Sequence, residues 1–454
     1  MEANFGIATH GLQLVSRWLV GGAPQLAAML GCLAQLALGQ AAPDSKLTPE
    51  TRVSIAAKMY ALVEVHFGNR KGASDPALDA SHQGYLHAVL ASEDRREFDL
   101  GTMEFLAELH NGHTLFLDSW LNEHYGQPLG FFAAPIEGKW VVQVSFVPGL
   151  KPGDVIAAID GVPMEEFFQR HEKYISASSA RARRHNLFLL PYLFPIEFTL
   201  RLEDGRSVAI NRATAKEQQA KPEARWLKQG DTAHIRIPAF YPPGEDVALD
   251  FLRQYQKAKA LILDLRNNPG GVPPVRLIRA LMDRPYRSWK ESVPLRIALF
   301  DAVPQAEKPA EASSMSDYAR GYHDALANLA DNAQITRGGD SVAPAPGAFR
   351  GRLVLLVDGG CVSACEDFVM PFKDNGRARL VGETTQGTAG LPYTHDFHNG
   401  MVVRIAVKRL SFPDGSEFEG MGIKPDVEVH TSIEMLRQGR DAALAKALEL
   451  VNQR

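Results

Sequence analysis

The chain has 454 residues, of which 45% are hydrophobic and 22% are charged, and its formal net charge is −4. This length predicts several structural units, because one hydrophobic core rarely organises more than about 250–300 residues. The weak negative charge gives no electrostatic reason to bind nucleic acid, so no nucleic-acid partner is expected.

The N-terminal segment has the features of an export signal. No charged side chain occurs from Trp18 to Pro43, Arg17 lies just before this run, and small residues close it. This order is typical of a secretory signal, although an amphipathic helix that stays attached is an alternative. Gly and Pro residues interrupt this run and argue against a membrane anchor, and no stable membrane insertion is expected beyond a possible N-terminal segment. We therefore expect residues 1–42 to be an export segment and the protein to be periplasmic or secreted.

Residues 43–125 are predicted to form a helical bundle. Apolar residues recur with helical spacing in three stretches, which begin near Val53, Tyr85 and Met103. Pro49 fits the first position of the first helix, where proline is favoured.

Residues 126–214 are predicted to form a small β domain. Short alternating runs are separated by turns, with Gly-Asp-Val-Ile at 153–156 and an Asp-Gly turn soon after. This pattern resembles a PDZ domain, and Leu129, Gly130 and Phe131 resemble the loop whose backbone amides hold a peptide carboxylate in that family. The resemblance implies a unit that positions the C-terminal part of a polypeptide. A generic small β-barrel is the alternative.

Residues 215–454 are predicted to form an α/β domain. Strand-like runs begin at His234, Ala260 and Leu353, and the last two are apolar enough to be buried on both faces. A polar stretch at about 285–347 is too long for a simple loop and is interpreted as an insertion or lid. The predicted fold class is therefore α/β and multi-domain.

Ser363 is the first candidate nucleophile. It follows an apolar strand and a Gly-rich turn, and a helical pattern begins directly after it. A strand, a tight turn and a helix in this order can raise a hydroxyl at the mouth of an α/β sheet. The alternative is a helix N-cap, which is a common role for serine.

Cys361 and Cys365 would be the only cysteines of a cleaved product, so no disulfide framework is predicted. Four residues apart on a helix, they would face the same side and could be oxidised. Packing as small hydrophobic residues is the interpretation that we favour. Neither has a His pair at metal-ligand spacing, and no metal or organic cofactor is expected.

Five segments together resemble the C-terminal-processing (tail-specific) peptidases. They are Asp264–Gly271, Ser363 with Glu366, Lys373–Ala378, Val381–Glu383 with Thr385 and Gly387, and Gly420–Val427. The resemblance implies a catalytic core of the ClpP/crotonase-like type and Ser363 as the nucleophile. It also implies an oxyanion hole and two supporting residues. The oxyanion donors would be the backbone N–H groups of Gly270 or Gly271 and of Ala364, and the supporting residues would be Glu366 and Thr385.

The general base departs from the processing peptidases. Their Ser-Lys dyad has its Lys at the position of Thr388, and a Thr hydroxyl cannot act as a base near neutral pH. Lys373 and Lys408 are weaker substitutes.

The tricorn-like branch of the same family uses a His and a Glu instead. This resemblance implies His113 as the base and Glu419 as the carboxylate that orients its ring. An imidazole with an ordinary pKa near ~6.5 is suited to take and return a proton. His110 and Glu417 are the competitors, and Glu417 would share a strand face with Glu419. The branch also has a Ser directly before the His, where this chain has Gly112.

The sequence therefore predicts a serine endopeptidase that acts on polypeptides. One alternative is a catalytically inactive peptidase-fold protein that binds peptides or apolar ligands. A non-proteolytic acyl hydrolase is a weaker alternative, because a PDZ-like unit suits a peptide better than a small ester. The sequence carries no indication of an oligomeric state.

Overall fold

The computed structural model describes residues 46–68, 76–216, 220–228, 230–294 and 334–453. The predicted export segment, residues 1–42, lies outside the described residues, and so does the middle of the predicted insertion. Within the described ranges no helix is long and apolar enough to cross a membrane.

Helices form the first described part of the chain. They are α1 (Pro49–His66), α2 (Pro76–Ala91) and α3 (Arg95–Ala107), followed by strand β1 (Leu115–Asp118) and α4 (Ser119–Tyr125). The predicted helix start is confirmed, because Pro49 opens α1 and the Thr48 hydroxyl accepts the N–H of Thr51. Asp94 caps α3 in the same way by accepting the N–H of Glu97.

Two small sheets form the next part of the chain, which we call the β unit (residues 131–211). Its elements are β2 (Phe131–Ile136), β3 (Lys139–Ser145), β4 (Ile156–Ile159), β5 (Val162–Pro163), α5 (Met164–His171), α6 (Ala180–Asn186), β6 (Glu197–Leu202) and β7 (Ser207–Asn211). β2 pairs with β3, and the other strands have the order β5-β4-β6-β7. Exposed and buried residues alternate along β6, as expected for a strand with one face on a core.

The C-terminal part alternates strands and helices. Its strands are β8 (Glu223–Lys228), β9 (Thr232–Arg236), β10 (Ala260–Asp264), β11 (Tyr286–Arg287), β12 (Lys290–Pro294), β13 (Gln334–Gly338), β14 (Ser341–Val342), β15 (Arg352–Val357), β16 (Arg379–Gly382), β17 (Pro392–Asp396), β18 (Met401–Ala406), β19 (Arg409–Ser411) and β20 (Val427–Glu428). Its helices are α7 (Gly244–Gln254), α8 (Val275–Leu281), α9 (Ala364–Asp374), α10 (Ile433–Arg437) and α11 (Ala442–Asn452).

A six-stranded sheet of order β20-β16-β15-β10-β9-β8 is the centre of this part. All its neighbouring pairs are parallel except β8 and β9. Ile262 and Val354 face α11, whereas Leu261 and Leu355 belong to the core that contains α8 and α9. The prediction that these strands are buried on both faces is therefore confirmed.

A second sheet joins the N-terminal and C-terminal parts of the chain. It has the order β1-β18-β17, and β1 pairs antiparallel with β18 from Leu115 opposite Arg404 to Asp118 opposite Met401. The largest core continues this connection, because Met401 packs with side chains of the helices and of the β unit. The loop before β1 is thereby held beside the central sheet.

Candidate active site

Ser363 lies at the turn between β15 and α9. Its backbone has φ 60° and ψ −128°, a conformation that is uncommon for any residue other than glycine. Although Ser363 is at the N-cap position, its side chain makes no capping hydrogen bond. Its Oγ lies 3.0 Å from Nε2 of His113 instead. The turn thus directs the hydroxyl at an imidazole and not at the helix.

His113 lies next to this turn in space although it is 250 residues away in sequence. It lies just before β1, so the pairing of β1 with β18 sets its position. The hydroxyl of Thr114 accepts the N–H of Ala406 at 3.1 Å, which ties the same loop to β18. The side-chain oxygen of Asn111 accepts the N–H of His113 at 2.9 Å and closes a tight turn.

The imidazole of His113 is buried, with 7% of the residue exposed. Burial lowers its pKa to about 4, and the positive charge of Arg404 acts in the same direction. The nearby carbonyl of Ala389 opposes the shift in pKa. Nδ1 nevertheless has no hydrogen-bond partner among the described residues, so this carbonyl does not hold it in bonding geometry. A neutral imidazole near pH 7 can accept the proton of Ser363.

Glu419 lies beside the loop of His113 but does not bond to its ring in the described part of the chain. Its Oε1 accepts the hydroxyl of Ser178 at 2.7 Å and the side-chain amide of Asn111 at 3.1 Å. Its Oε2 accepts the N–H of Ala389 at 3.3 Å. The connection to His113 therefore runs through Asn111, which bonds both the carboxylate and the backbone of the histidine. Burial raises the pKa of Glu419 to about 7.

The two competing residues are exposed, unlike the buried His113. Glu417 is exposed and Glu419 is half-buried, so the expectation that they share a strand face is wrong. Their segment makes an isolated bridge and a turn instead of a regular strand. His110 is also exposed, and its Nδ1 accepts a hydrogen bond from Arg183.

Thr388 occupies the position where the processing peptidases have their lysine. It is buried, and its carbonyl accepts the N–H of Ser363 at 2.8 Å. Its hydroxyl donates to the hydroxyl of Ser178 at 2.9 Å. Thr388 therefore holds the nucleophile turn through its backbone and joins the polar network around Glu419 through its side chain.

Neither alternative lysine contacts Ser363 in the hydrogen bonds and ion pairs of the described residues. Lys373 forms an ion pair with Asp426, and Lys408 forms one with Glu291 at 2.9 Å. Both ammonium groups are thus engaged with carboxylates.

The N–H groups that were predicted as oxyanion donors differ from one another in their hydrogen-bond partners. The N–H of Gly270 donates to the side-chain oxygen of Asn268 at 2.8 Å and is not available. The N–H groups of Gly271 and Ala364 have no acceptor among the described residues. Gly270 packs directly on the nucleophile turn, because a Cβ there would lie 2.7 Å from the nitrogen of Ala364. Two unoccupied donors, one of them on the residue directly after Ser363, suit a developing negative charge.

Glu366 supports the loop that carries Thr388. It is fully buried, and its Oε1 accepts the Thr385 hydroxyl at 2.5 Å and the Gly387 N–H at 2.7 Å. Its Oε2 accepts the N–H of Thr388 at 2.8 Å. The Thr385 hydroxyl also accepts the N–H of Ile423. Burial raises the pKa of Glu366 to about 8, although these donors favour the charged form.

Cys361 and Cys365 form a disulfide that spans the nucleophile turn. The expectation that they pack as separate thiols is wrong. Both are fully buried, and their four-residue spacing around Ser363 was the only signal in the sequence. The turn is therefore closed covalently on both sides of the serine.

The β unit contacts the loop between β16 and β17, which carries Thr388, through α6. Arg181 donates to the carbonyl of Thr384 at 2.8 Å and to that of Thr385 at 2.5 Å. At the other side of α6, the rings of His185 and Phe132 pack edge to face, with centroids 5.4 Å apart. Phe132 directly follows the predicted carboxylate-binding loop.

That loop is partly enclosed. Leu129 and Phe131 are buried, and Gly130 has φ 78°, a conformation that glycine adopts readily. The carbonyl of Gly130 accepts the N–H of Phe146 at 2.8 Å.

Asn111 and Ser178 were not predicted from the sequence as residues of the site. The position of Asn111 two residues before His113 was a usable signal, since an Asn side chain often bonds the backbone two residues on. Ser178 lies in an irregular stretch of the β unit, and nothing in its local sequence distinguishes it from Ser176 or Ser179.

Comparisons with known proteins agree on one family. Residues 231–286 and 290–429 match the model of peptidase family S41. A carboxyl-terminal-processing protease from Synechocystis is 25% identical over 285 residues, which cover 61% of this chain and 55% of that protein. A probable CtpA-like serine protease from Staphylococcus aureus is 27% identical over 242 residues, covering 52% and 40%. The chain thus spans about half or less of the length of these curated relatives.

Solved structures are similar over more of the chain. Mature CPAF complexed with lactacystin is 15% identical, with a TM-score of 0.62 over 89% of this chain and 98% of that chain. Mature CPAF alone is 14% identical, with a TM-score of 0.62 over 89% and 96%. At such identities the similarity shows the fold alone, and the predicted α/β multi-domain class is confirmed.

Proposed function

Since residues 231–286 and 290–429 match the model of peptidase family S41, we propose that this chain hydrolyses peptide bonds with Ser363 as nucleophile and His113 as general base. The observation that carries the proposal is the 3.0 Å contact between Ser363 Oγ and His113 Nε2. This distance lies within hydrogen-bond reach, as transfer of the serine proton requires.

The reaction follows from the positions of these groups. Ser363 Oγ forms a bond to the peptide carbonyl carbon while its proton passes to His113 Nε2. The N–H groups of Gly271 and Ala364 stabilise the oxyanion of the tetrahedral intermediate. His113 then donates the proton to the leaving amine as the C–N bond breaks. Water, activated by the same imidazole, releases the acyl group from Ser363.

Glu419 is proposed as a positioning residue for His113. Its carboxylate holds Asn111, and Asn111 holds the backbone of His113. A negative charge beside the loop also favours the imidazolium that forms during the reaction.

The β unit is proposed to position the substrate as a PDZ-like domain, with Leu129, Gly130 and Phe131 receiving the C-terminal carboxylate. The contacts of α6 support this role, since they link the strand after that loop to the loop between β16 and β17, which carries Thr388. Export to a periplasmic or extracellular space is proposed as well. The disulfide between Cys361 and Cys365 supports it, because disulfides persist mainly in oxidising compartments.

Labelling with a fluorophosphonate tests the nucleophile. We expect stoichiometric modification of Ser363 in the wild-type protein, located by mass spectrometry of the digested product. Ser363→Ala should abolish labelling, and His113→Ala should slow it by at least about a hundredfold. Ser432→Ala is the matched control, because the Ser432 hydroxyl only caps α10.

Digestion of casein tests the reaction itself. Cleavage by the wild type that is absent in Ser363→Ala is the expected result. Equal cleavage by both proteins would reject the mechanism. A folded wild-type protein that is neither labelled nor active would instead be an inactive peptidase-fold binding protein.

A further inference from the structure

The hydroxyl of Ser178 stands at the centre of a polar network that links three loops. It accepts the N–H of Gly112 at 3.1 Å and the hydroxyl of Thr388 at 2.9 Å, and it donates to Glu419 Oε1 at 2.7 Å. Gly112 directly precedes His113. Ser178 itself belongs to the β unit, between α5 and α6.

These contacts use the whole capacity of the hydroxyl. A serine side chain has one donor and two acceptor positions. Because Gly112 and Thr388 both donate to Ser178, its only proton is directed to Glu419. The hydrogen bond between Ser178 and Glu419 therefore always has Ser178 as its donor, and this bond favours the charged form of the Glu419 carboxylate.

The surrounding backbone leaves little room for these loops to pack in another arrangement. A Cβ on Gly112 would lie 2.8 Å from Cγ2 of Thr388, and a Cβ on Gly420 would lie 2.9 Å from the carbonyl oxygen of Ser178. Ser178 thus packs against the turn that carries Glu419 at the same time as it bonds the carboxylate. The loops of His113, Thr388 and Glu419 are held to one another at this point.

We infer that Ser178 is a positioning residue of the peptidase reaction, whose hydroxyl fixes Glu419 and the His113 loop in the arrangement that transfers the Ser363 proton. The inference rests on the proposed function. It also means that the catalytic centre is complete only when the β unit is docked, because this unit supplies the hydroxyl.

The charged groups around Glu419 influence its pKa, and with it the pH dependence of the activity. Glu366 faces it from α9, and Arg409 faces it from β19. Neither is changed when Ser178 is replaced. Loss of the hydrogen bond from Ser178 raises the pKa of Glu419 above its value of about 7. The ionised fraction near neutral pH falls, so the acid limb of the activity profile moves to higher pH.

The test compares Ser178→Ala with Ser179→Ala. Ser179 is the matched control, because its hydroxyl caps α6 by accepting the N–H of Ala182 and does not reach the network. For Ser178→Ala we expect kcat to fall roughly tenfold to a hundredfold at pH 7 with KM nearly unchanged. The acid limb should shift upward by about one pH unit, and kcat should recover in part at high pH. Ser178→Thr retains the hydroxyl and should restore most of kcat.

The same fluorophosphonate and a casein-derived peptide serve as probes, and thermal unfolding of each variant shows that it is folded. If the pH profile of Ser178→Ala superimposes on that of Ser179→Ala, the inference is wrong while the peptidase proposal stands. If folded wild type is neither labelled nor active, the proposed function fails and this inference fails with it.

Discussion

At the scale of single residues, two glycines allow backbones to approach closely enough to build the site. A Cβ on Gly270 would lie 2.7 Å from the carbonyl oxygen of Val362 and 2.8 Å from Cβ of Ser363. Gly112 makes room for Thr388 in a similar way. Any other residue would displace the turn that it touches, since real Cβ atoms do not tolerate such distances.

Gly270→Ala tests the oxyanion hole. The added methyl group should push against the nitrogen of Ala364 and displace this proposed donor, so kcat should fall by about a hundredfold or more, as it does when an oxyanion donor is lost. Gly376→Ala is the control, because Gly376 also has a positive φ but has open space around its Cβ. It should lower the free energy of unfolding by about 1 kcal/mol without changing kcat. Near-normal kcat in Gly270→Ala would contradict the assignment.

Glu419→Gln tests the role of this carboxylate through the pH dependence of kcat/KM. The pKa of Glu419 is raised to about 7, so its charged form grows as pH rises through neutrality. The pKa of His113 is lowered to about 4, so the base is already neutral there. We expect kcat/KM of the wild type to rise with pH around 7, and this rise to disappear in Glu419→Gln. The exposed neighbour provides the control, Glu417→Gln, which should keep the wild-type profile. A rise centred near pH 4 would assign the limb to His113 alone.

At the scale of elements, the turn between β15 and α9 depends on a covalent link. The disulfide between Cys361 and Cys365 encloses Ser363, whose backbone conformation is unfavourable for an L-residue. A closed loop around the turn reduces the conformations that the unfolded chain can adopt there. The link therefore favours the conformation that presents the hydroxyl.

Replacing both cysteines by alanine tests this role. We expect the free energy of unfolding to fall by about 2 kcal/mol, the value for so short a loop. Fluorophosphonate labelling of Ser363 should slow by roughly tenfold, because the turn can relax. Urea unfolding with and without reductant separates the effect of the disulfide from that of the alanine side chains. Reductant should lower the unfolding midpoint of the wild type and leave that of the double variant unchanged. Unchanged midpoints and labelling rates would show that the link is dispensable.

Elements could be predicted where the pattern is local. β10 and β15 are short apolar runs bounded by turns, and burial on both faces leaves that signal in the sequence. The helix start at Pro49 also has a local cause. The sheet of β1, β18 and β17 was not predicted, because the pairing of Leu115 with Arg404 joins strands that are far apart in the chain.

The candidate site also has a part that could be predicted from local sequence and a part that could not. Ser363, Gly271 and Ala364 stand in motifs whose spacing carries their chemistry. The link from Glu419 to His113 through Asn111, and the hydroxyl of Ser178, arise from packing between distant segments. No local sequence pattern encodes such contacts, so reasoning from motifs names the groups but not their hydrogen-bond partners.

At the scale of the whole molecule, α6 joins the β unit to the loop between β16 and β17, which carries Thr388. Arg181 bonds two carbonyls next to Gln386, whose side-chain amide donates to Asn186 at the other end of α6. These contacts involve backbone close to Thr388. Docking of the β unit and the geometry of the centre should therefore change together.

Arg181→Ala tests this dependence. Loss of both hydrogen bonds should reduce kcat/KM by roughly tenfold, because each charge-assisted bond to a carbonyl stabilises the docked arrangement. Arg184→Ala is the matched control on the same helix, since Arg184 pairs with Glu165 inside the β unit. It should leave kcat/KM within about twofold of the wild type. Equal losses in both variants would indicate a general weakening of the β unit instead.

The pairing of β1 with β18 also determines when the chain can become active during its synthesis. The base is translated early and the nucleophile late, yet the strand that holds His113 in place spans Met401–Ala406 and is made later still. A ribosome that has just passed Ser363 therefore carries a chain with both reactive groups and no means of bringing them together. Under the proposed mechanism, peptidase activity therefore cannot arise before β18 and the later Glu419 have been made, and truncated products that lack β18 are expected to be inactive.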